Sequence, residues 1–91
     1  MSAAEDGGGK LRAEIRAFIE DNFLYMNPDA TLADGDDLLA AGIVDSLGFV
    51  ELIEEVESGY AVGVQDVEIT EQNFGSIDSI VGYIERKRGA P

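Results

Sequence analysis

The 91-residue chain is one domain's worth of sequence with an ordinary hydrophobic fraction of 45%. It holds no cysteine and no histidine, and nineteen acidic residues against six basic ones give a net charge of −13. That inventory excludes disulfide staples, cysteine or histidine metal sites, imidazole or thiol catalysis, and a basic face for nucleic acid or anionic lipid.

The charges are unevenly spread. Lys10, Arg12 and Arg16 lie near one end and Arg86, Lys87 and Arg88 near the other, with sixteen acids and no basic residue between Arg16 and Arg86. A field of this sign favours encounter with basic protein surfaces, although it also simply keeps a protein soluble. No run approaches the roughly 18 apolar residues of a membrane span. Met1–Gly9 has no apolar stretch of the secretory-signal kind. The absence of cysteine fits a cytoplasmic protein.

Residues 1–9 are small, polar and glycine-rich, and read as a disordered leader before a domain at 10–88 and a tail at 89–91. Leu11, Ile15, Phe18 and Ile19, followed by Phe23, recur at helical spacing and predict a first helix from about residue 10 to 24. Asn27-Pro28-Asp29 breaks it. A long acidic connection follows at 25–45, in which Leu32, Leu38, Leu39, Ile43 and Val44 are apolar enough to pin the loop to a core. One helical turn is expected at Asp36–Ala41. The run Asp34-Gly35-Asp36-Asp37 resembles the start of a calcium loop, but Leu38 and Leu39 stand where a ligand and a glycine are needed, so no metal site is expected.

Asp45 and Ser46 are both good helix starters, and a second helix follows. Leu47, Val50, Ile53, Val56 and Tyr60 fall at steps of three and four, with Leu52 widening the stripe. Glu51, Glu54, Glu55 and Glu57 fill most of the remaining surface, and Gly59 and Gly63 are expected to end the helix. Tyr60–Ile69 alternates weakly but has no partner to pair with, so it reads as an extended connector. Thr70 caps a short turn through Phe74. Ser76 caps a last helix with Ile77, Ile80, Val81 and Ile84 inward, and Arg86, Lys87 and Arg88 complement the negative end of its dipole. The expected fold is all-α, a four-helix bundle of three main helices and a short third, with a long loop between helices one and two.

Catalytic reagents are scarce. Ser46 lies in Gly-Ile-Val-Asp-Ser-Leu-Gly, which lacks the glycine of a nucleophile elbow, and no glycine-rich phosphate loop is present. Carboxylates alone on so small a chain argue against intrinsic catalysis. A serine at a helix start is by itself far more often a cap than a reaction site.

Its surroundings change the reading. Residues 36–57, DDLLAAGIVDSLGFVELIEEVE, resemble the signature of acyl and peptidyl carrier proteins, in which an acidic-leucine stretch and Gly-Ile lead into Asp-Ser-Leu at the head of helix two. Tyr60, Val64, Asp66, Ile69, Thr70, Asn73 and Phe74, then Ser76-Ile77, continue the likeness, which spans residues 11–88. The resemblance implies a non-enzymatic, monomeric carrier. It makes Ser46 the point where a phosphopantetheinyl transferase attaches 4′-phosphopantetheine from coenzyme A, with acyl or aminoacyl cargo riding as a thioester. Asp45 would contribute to transferase recognition or serve only as the cap. Leu47 and Val50 would flank the arm and meet partners, or pack in the core. Glu51, Glu54, Glu55 and Glu57 would offer an anionic face to basic patches on a loading ligase and on synthase enzymes of fatty-acid, polyketide or peptide-type biosynthesis. Glu54 replaces the exposed apolar residue common in fatty-acid carriers, and Gln65 replaces a common proline. With Gly48-Phe49, these lean toward secondary metabolism or aminoacyl transfer. The competing reading is an acidic helical interaction module without a prosthetic group.

Overall fold

The computed structural model describes residues 3–25 and 29–88. The expected tail at 89–91 and the Asn27-Pro28 break lie outside them. Helix α1 spans Ala3–Ile19 and continues as a π-helical segment, Glu20–Leu24. It therefore begins within the stretch expected to be a disordered leader. Ala3 and Ala4 are strong helix formers, and Glu5 and Asp6 suit the positive end of a helix dipole. The helix runs on through Gly7–Gly9, part of the glycine-rich stretch read as a leader.

Helix α2 spans Ser46–Tyr60, a 3-10 turn covers Asp66–Glu68, α3 is the short Glu71–Phe74, and α4 spans Ile77–Lys87. No strand occurs among the described residues. The fold is all-α, with three main helices, a short third and a long first connection. Helix α4 packs against both α1 and α3.

The core draws on every element. Leu11, Ile15, Ile19 and Leu24 come from the first helical stretch, Leu32, Leu38 and Val44 from the loop, and Leu52, Ile53 and Val56 from α2. Phe74, Ile77, Ile80, Val81, Tyr83 and Ile84 complete it. Tyr83, which the helical pattern had not marked, is buried with its ring tilted against Phe74 at 4.8 Å.

The long loop is held, not loose. The Leu38 N–H donates to the Gly75 carbonyl at 2.8 Å, and the Asp78 N–H to the Asp34 carbonyl at 2.9 Å. Arg16 donates to the Leu32 carbonyl and pairs with Asp34, while Arg12 pairs with Asp34 and Asp78. Two of the six basic residues thus tie the loop to α1. The expected helical turn is present: the Ala41 N–H donates to the Asp37 carbonyl at 2.8 Å. It ends as a Schellman motif, with Ile43 N–H bonded to Leu38 and Gly42 N–H to Leu39, and Gly42 in the left-handed region at φ 75°.

Candidate functional site

Helix α2 starts where the loop ends. Asp45 has extended backbone, and its Oδ1 accepts the Gly48 N–H at 2.7 Å, while its carbonyl accepts the Phe49 N–H at 2.8 Å. Asp45 is therefore the cap. Ser46 is the first helical residue, exposed, and takes no part in that capping. Among the described residues the hydroxyl makes no hydrogen bond, and it sits at the positive end of a helix about 22 Å long, counted from its 15 residues.

The turn beneath it is closely packed. A side chain at Gly48 would put its Cβ 2.7 Å from the Phe23 ring, 3.2 Å from Asp45 and 3.2 Å from Val44. Only glycine lets α2 seat so closely on the π-helical segment.

Around the serine, the apolar stripe expected on α2 is rotated. Leu52, Ile53, Val56 and Gly48 are buried, but Leu47 is 70% exposed and Val50 50% exposed. The core closes on Leu52 and Phe49, whose ring meets Phe74 edge-on at 6.2 Å, and this turns Leu47 and Val50 to the outside. Of the two readings for this pair, the core is the one the structure overturns.

The four glutamates do not behave as one face. Glu51 and Glu54 are exposed. Glu55 and Glu57 are half-buried, and Glu57 accepts the Val64 N–H at 3.1 Å, holding the chain that leaves α2. Among the described residues the ion pairs lie elsewhere, on Arg12, Arg16 and Lys87. No cation among the described residues pairs with Glu51 or Glu54. No group of three potential metal ligands occurs among the described residues.

Sequence reasoning missed the connector's part in this surface. Val67 is 82% exposed and Ile69 41% exposed. Between them, Glu68 turns inward: its carboxylate accepts the Gln65 N–H at 3.0 Å, the Tyr83 hydroxyl at 2.8 Å and Lys87 Nζ at 3.1 Å. The Gln65 amide, then the Tyr83 hydroxyl, hold the Glu68 carboxyl below its ordinary range. Burial, then the Glu68 hydrogen bond, push the Tyr83 phenol up to about 12, so it remains a donor. The only early signal was the weak apolar alternation at Val62, Val64 and Val67.

An exposed serine hydroxyl on a capped helix N-terminus suits a bulky covalent phosphodiester, since it offers room and a favourable dipole. The phosphopantetheine attachment site family matches residues 13–84. The chain belongs to that family. It is a carrier protein, a bearer of covalent 4′-phosphopantetheine and not a catalyst. A D-alanyl carrier protein of Streptococcus sanguinis is 32% identical over 80 residues, covering 88% of this chain and 98% of its own. One from Streptococcus thermophilus shows the same identity and coverage over 80 residues. One from Streptococcus pyogenes is 36% identical over 67 residues, covering 74% of this carrier protein and 84% of its own length. No solved structure matches. No helix among the described residues of the carrier protein is long and apolar enough to cross a membrane.

Proposed function

We propose that Ser46 Oγ bears the 4′-phosphopantetheine, and that a carrier domain spanning residues 10–88 holds an acyl or aminoacyl group on it as a thioester. The observation that carries this reading is the exposure of a hydroxyl the fold does not use, at the first residue of a helix capped by its neighbour. Attachment by a phosphopantetheinyl transferase forms a bond from Ser46 Oγ to phosphorus. It breaks the diphosphate of coenzyme A, releasing adenosine 3′,5′-bisphosphate, and the serine proton passes to a base. The chain has no histidine, and the transferase supplies that base. The bound group supplies the thiol that this cysteine-free chain lacks.

Aminoacyl cargo fits better than fatty acyl or polyketide cargo. The relatives above are named for a D-alanyl group, and Glu54 stands where fatty-acid carriers commonly expose an apolar residue. Asp45, Leu47, Val50, Glu51 and Glu54 are the surface that a transferase and an aminoacyl-loading ligase with basic patches would meet. Glu55 and Glu57 contribute less, because the fold already shields them.

The test is intact-protein mass spectrometry after incubation with coenzyme A and a broad-specificity transferase. The carrier protein is expected to gain the mass of one phosphopantetheine, and Ser46→Ala none. The loaded form should then gain one alanyl group from D-alanine, ATP and a D-alanine-activating ligase. An unchanged mass with several transferases would sink the proposal, whereas acylation only by fatty-acyl donors would overturn the cargo assignment alone.

A further inference from the structure

Residues 33–36 make a tight turn where the long loop meets α1 and α4. The Asp36 N–H donates to the Ala33 carbonyl at 3.1 Å, and Asp36 Oδ2 accepts the Ala33 N–H at 2.9 Å. Asp34 and Gly35 are the two central residues of the turn. Its backbone does not call for glycine. Among the described residues Gly42 is the one glycine at positive φ, so Gly35 has a backbone that other residues adopt. A Cβ at Gly35 would meet nothing nearer than Asp78 Oδ2 at 3.6 Å, an ordinary contact.

What glycine does leave here is a reactive pair. A larger residue partly covers its own backbone nitrogen, and glycine does not. Gly35 is exposed, and among the described residues its N–H meets no acceptor. The preceding side chain, Asp34, carries a carboxyl that this nitrogen can attack to close a succinimide ring. Closure joins Gly35 N to Asp34 Cγ, and the carboxyl hydroxyl and the amide proton leave as water. Water then reopens the ring. Opening at the α-carbonyl leaves the chain running through the Asp34 side chain, as isoaspartate. Water is lost and regained, so the mass is unchanged and no other reactant is consumed.

Asp34 is also the hub of the loop's attachment. Arg12 and Arg16 pair with its carboxylate, and its carbonyl accepts the Asp78 N–H at 2.9 Å. Ring closure consumes the protonated carboxyl, because a carboxylate has no hydroxyl to lose as water. The Arg16 hydrogen bond keeps the group ionised and ties it to α1. The product places the carboxylate on the α-carbon and lengthens the backbone by one methylene, which unseats all three contacts from their present geometry.

We propose that Asp34-Gly35 is a site of spontaneous isoaspartate formation that releases the long loop from α1 and α4, and that Arg12 and Arg16 hold the reaction in check. The proposal does not depend on what Ser46 carries. The chain's other Asp-Gly pair, Asp6-Gly7, lies within α1, where helical dihedrals oppose ring closure, and it serves as the internal comparison.

The experiment ages the full chain for weeks in warm neutral buffer. Isoaspartate is measured by methyl transfer from S-adenosylmethionine with an isoaspartyl methyltransferase. Peptide mapping locates it, because the Asp34 peptide splits into two peaks of equal mass. Wild type is expected to accumulate isoaspartate at residue 34 ahead of residue 6. Arg16→Gln should speed the reaction severalfold. Gly35→Ala should bring it close to background while melting like fresh wild type. The isoaspartyl fraction, separated chromatographically, should melt several degrees below the unmodified protein. Should Arg16→Gln fail to fold, Arg12→Gln removes the longer of the two contacts and should speed the reaction to a smaller extent. Isoaspartate at residue 6 but not at 34 would overturn the proposal. So would a wild-type rate in the arginine variants, or an isoaspartyl fraction that melts like the fresh protein.

Discussion

At Asp45 and Ser46, two adjacent residues with similar capping preferences take different duties. The aspartate carboxylate bonds the Gly48 amide, and the serine, one position later, is left without a structural role. The same charge suits both tasks, since a carboxylate and a phosphodiester are each favoured at the positive end of α2. Thermal melting should separate the two. Ser46→Ala is expected to leave the midpoint nearly unchanged, within about 0.5 kcal/mol for a surface substitution, whereas Asp45→Ala should cost about 1 kcal/mol as a lost cap. Equal effects would mean the serine shares the capping. The sequence offered both residues as helix starters, and only backbone geometry distinguishes a cap from a first helical residue.

Among the elements, α2 shows where periodicity informs and where it stops. The period predicts an amphipathic helix correctly, but Leu47 and Val50 belong to the apolar residues that stay outside, because Phe49 and Leu52 close the core instead. The end of the helix differs too. Neither Gly59 nor Gly63 forms the left-handed cap: Ala61 does, at φ 55°. That conformation crowds an alanine Cβ against the backbone, and glycine removes the conflict. Ala61→Gly is therefore expected to stabilise the protein by about 0.5–1 kcal/mol in chemical denaturation. A destabilised variant would show that the left-handed cap is not formed in solution. In the preceding loop the preferences agree, since Gly42 occupies the left-handed position of its own turn. The turn expected at Asp36–Ala41 was legible because its signals are local, and the structure adds Gly42 as its end.

For the whole molecule, charge both divides and holds. Arg12, Arg16 and Lys87 are engaged within the fold, and among the described residues the exposed α2 carboxylates at Glu51 and Glu54 make no ion pair. Arg16, through its hydrogen bond, holds the Asp34 carboxyl below its ordinary range, and Glu68 is held down by the Gln65 amide and Tyr83. A carboxyl whose folded value is depressed adds stability that is complete above its unfolded value and fades as pH falls through the folded one. The loop clamp is therefore expected to weaken on acidification below about pH 4. Asp34→Asn should lower the melting temperature at neutral pH and flatten its acid-side fall, with the difference from wild type vanishing at the lowest pH. A constant difference at every pH would show that the Asp34 charge is not what ties the loop to α1.

The sequence by itself determined the all-α class, the three main helices, the caps at Thr70 and Ser76, and the serine at the head of an anionic helix. Each of these follows from residues within a turn or two of one another, where spacing and chemistry act directly. Only the tertiary structure decided which side of α2 faces water, that Glu57 and Glu68 serve the fold, and that Tyr83 reaches from α4 to fasten the connector. Those outcomes depend on contacts between residues far apart in the chain, such as Phe49 with Phe74 or Arg12 with Asp78, and no local pattern encodes which partner arrives.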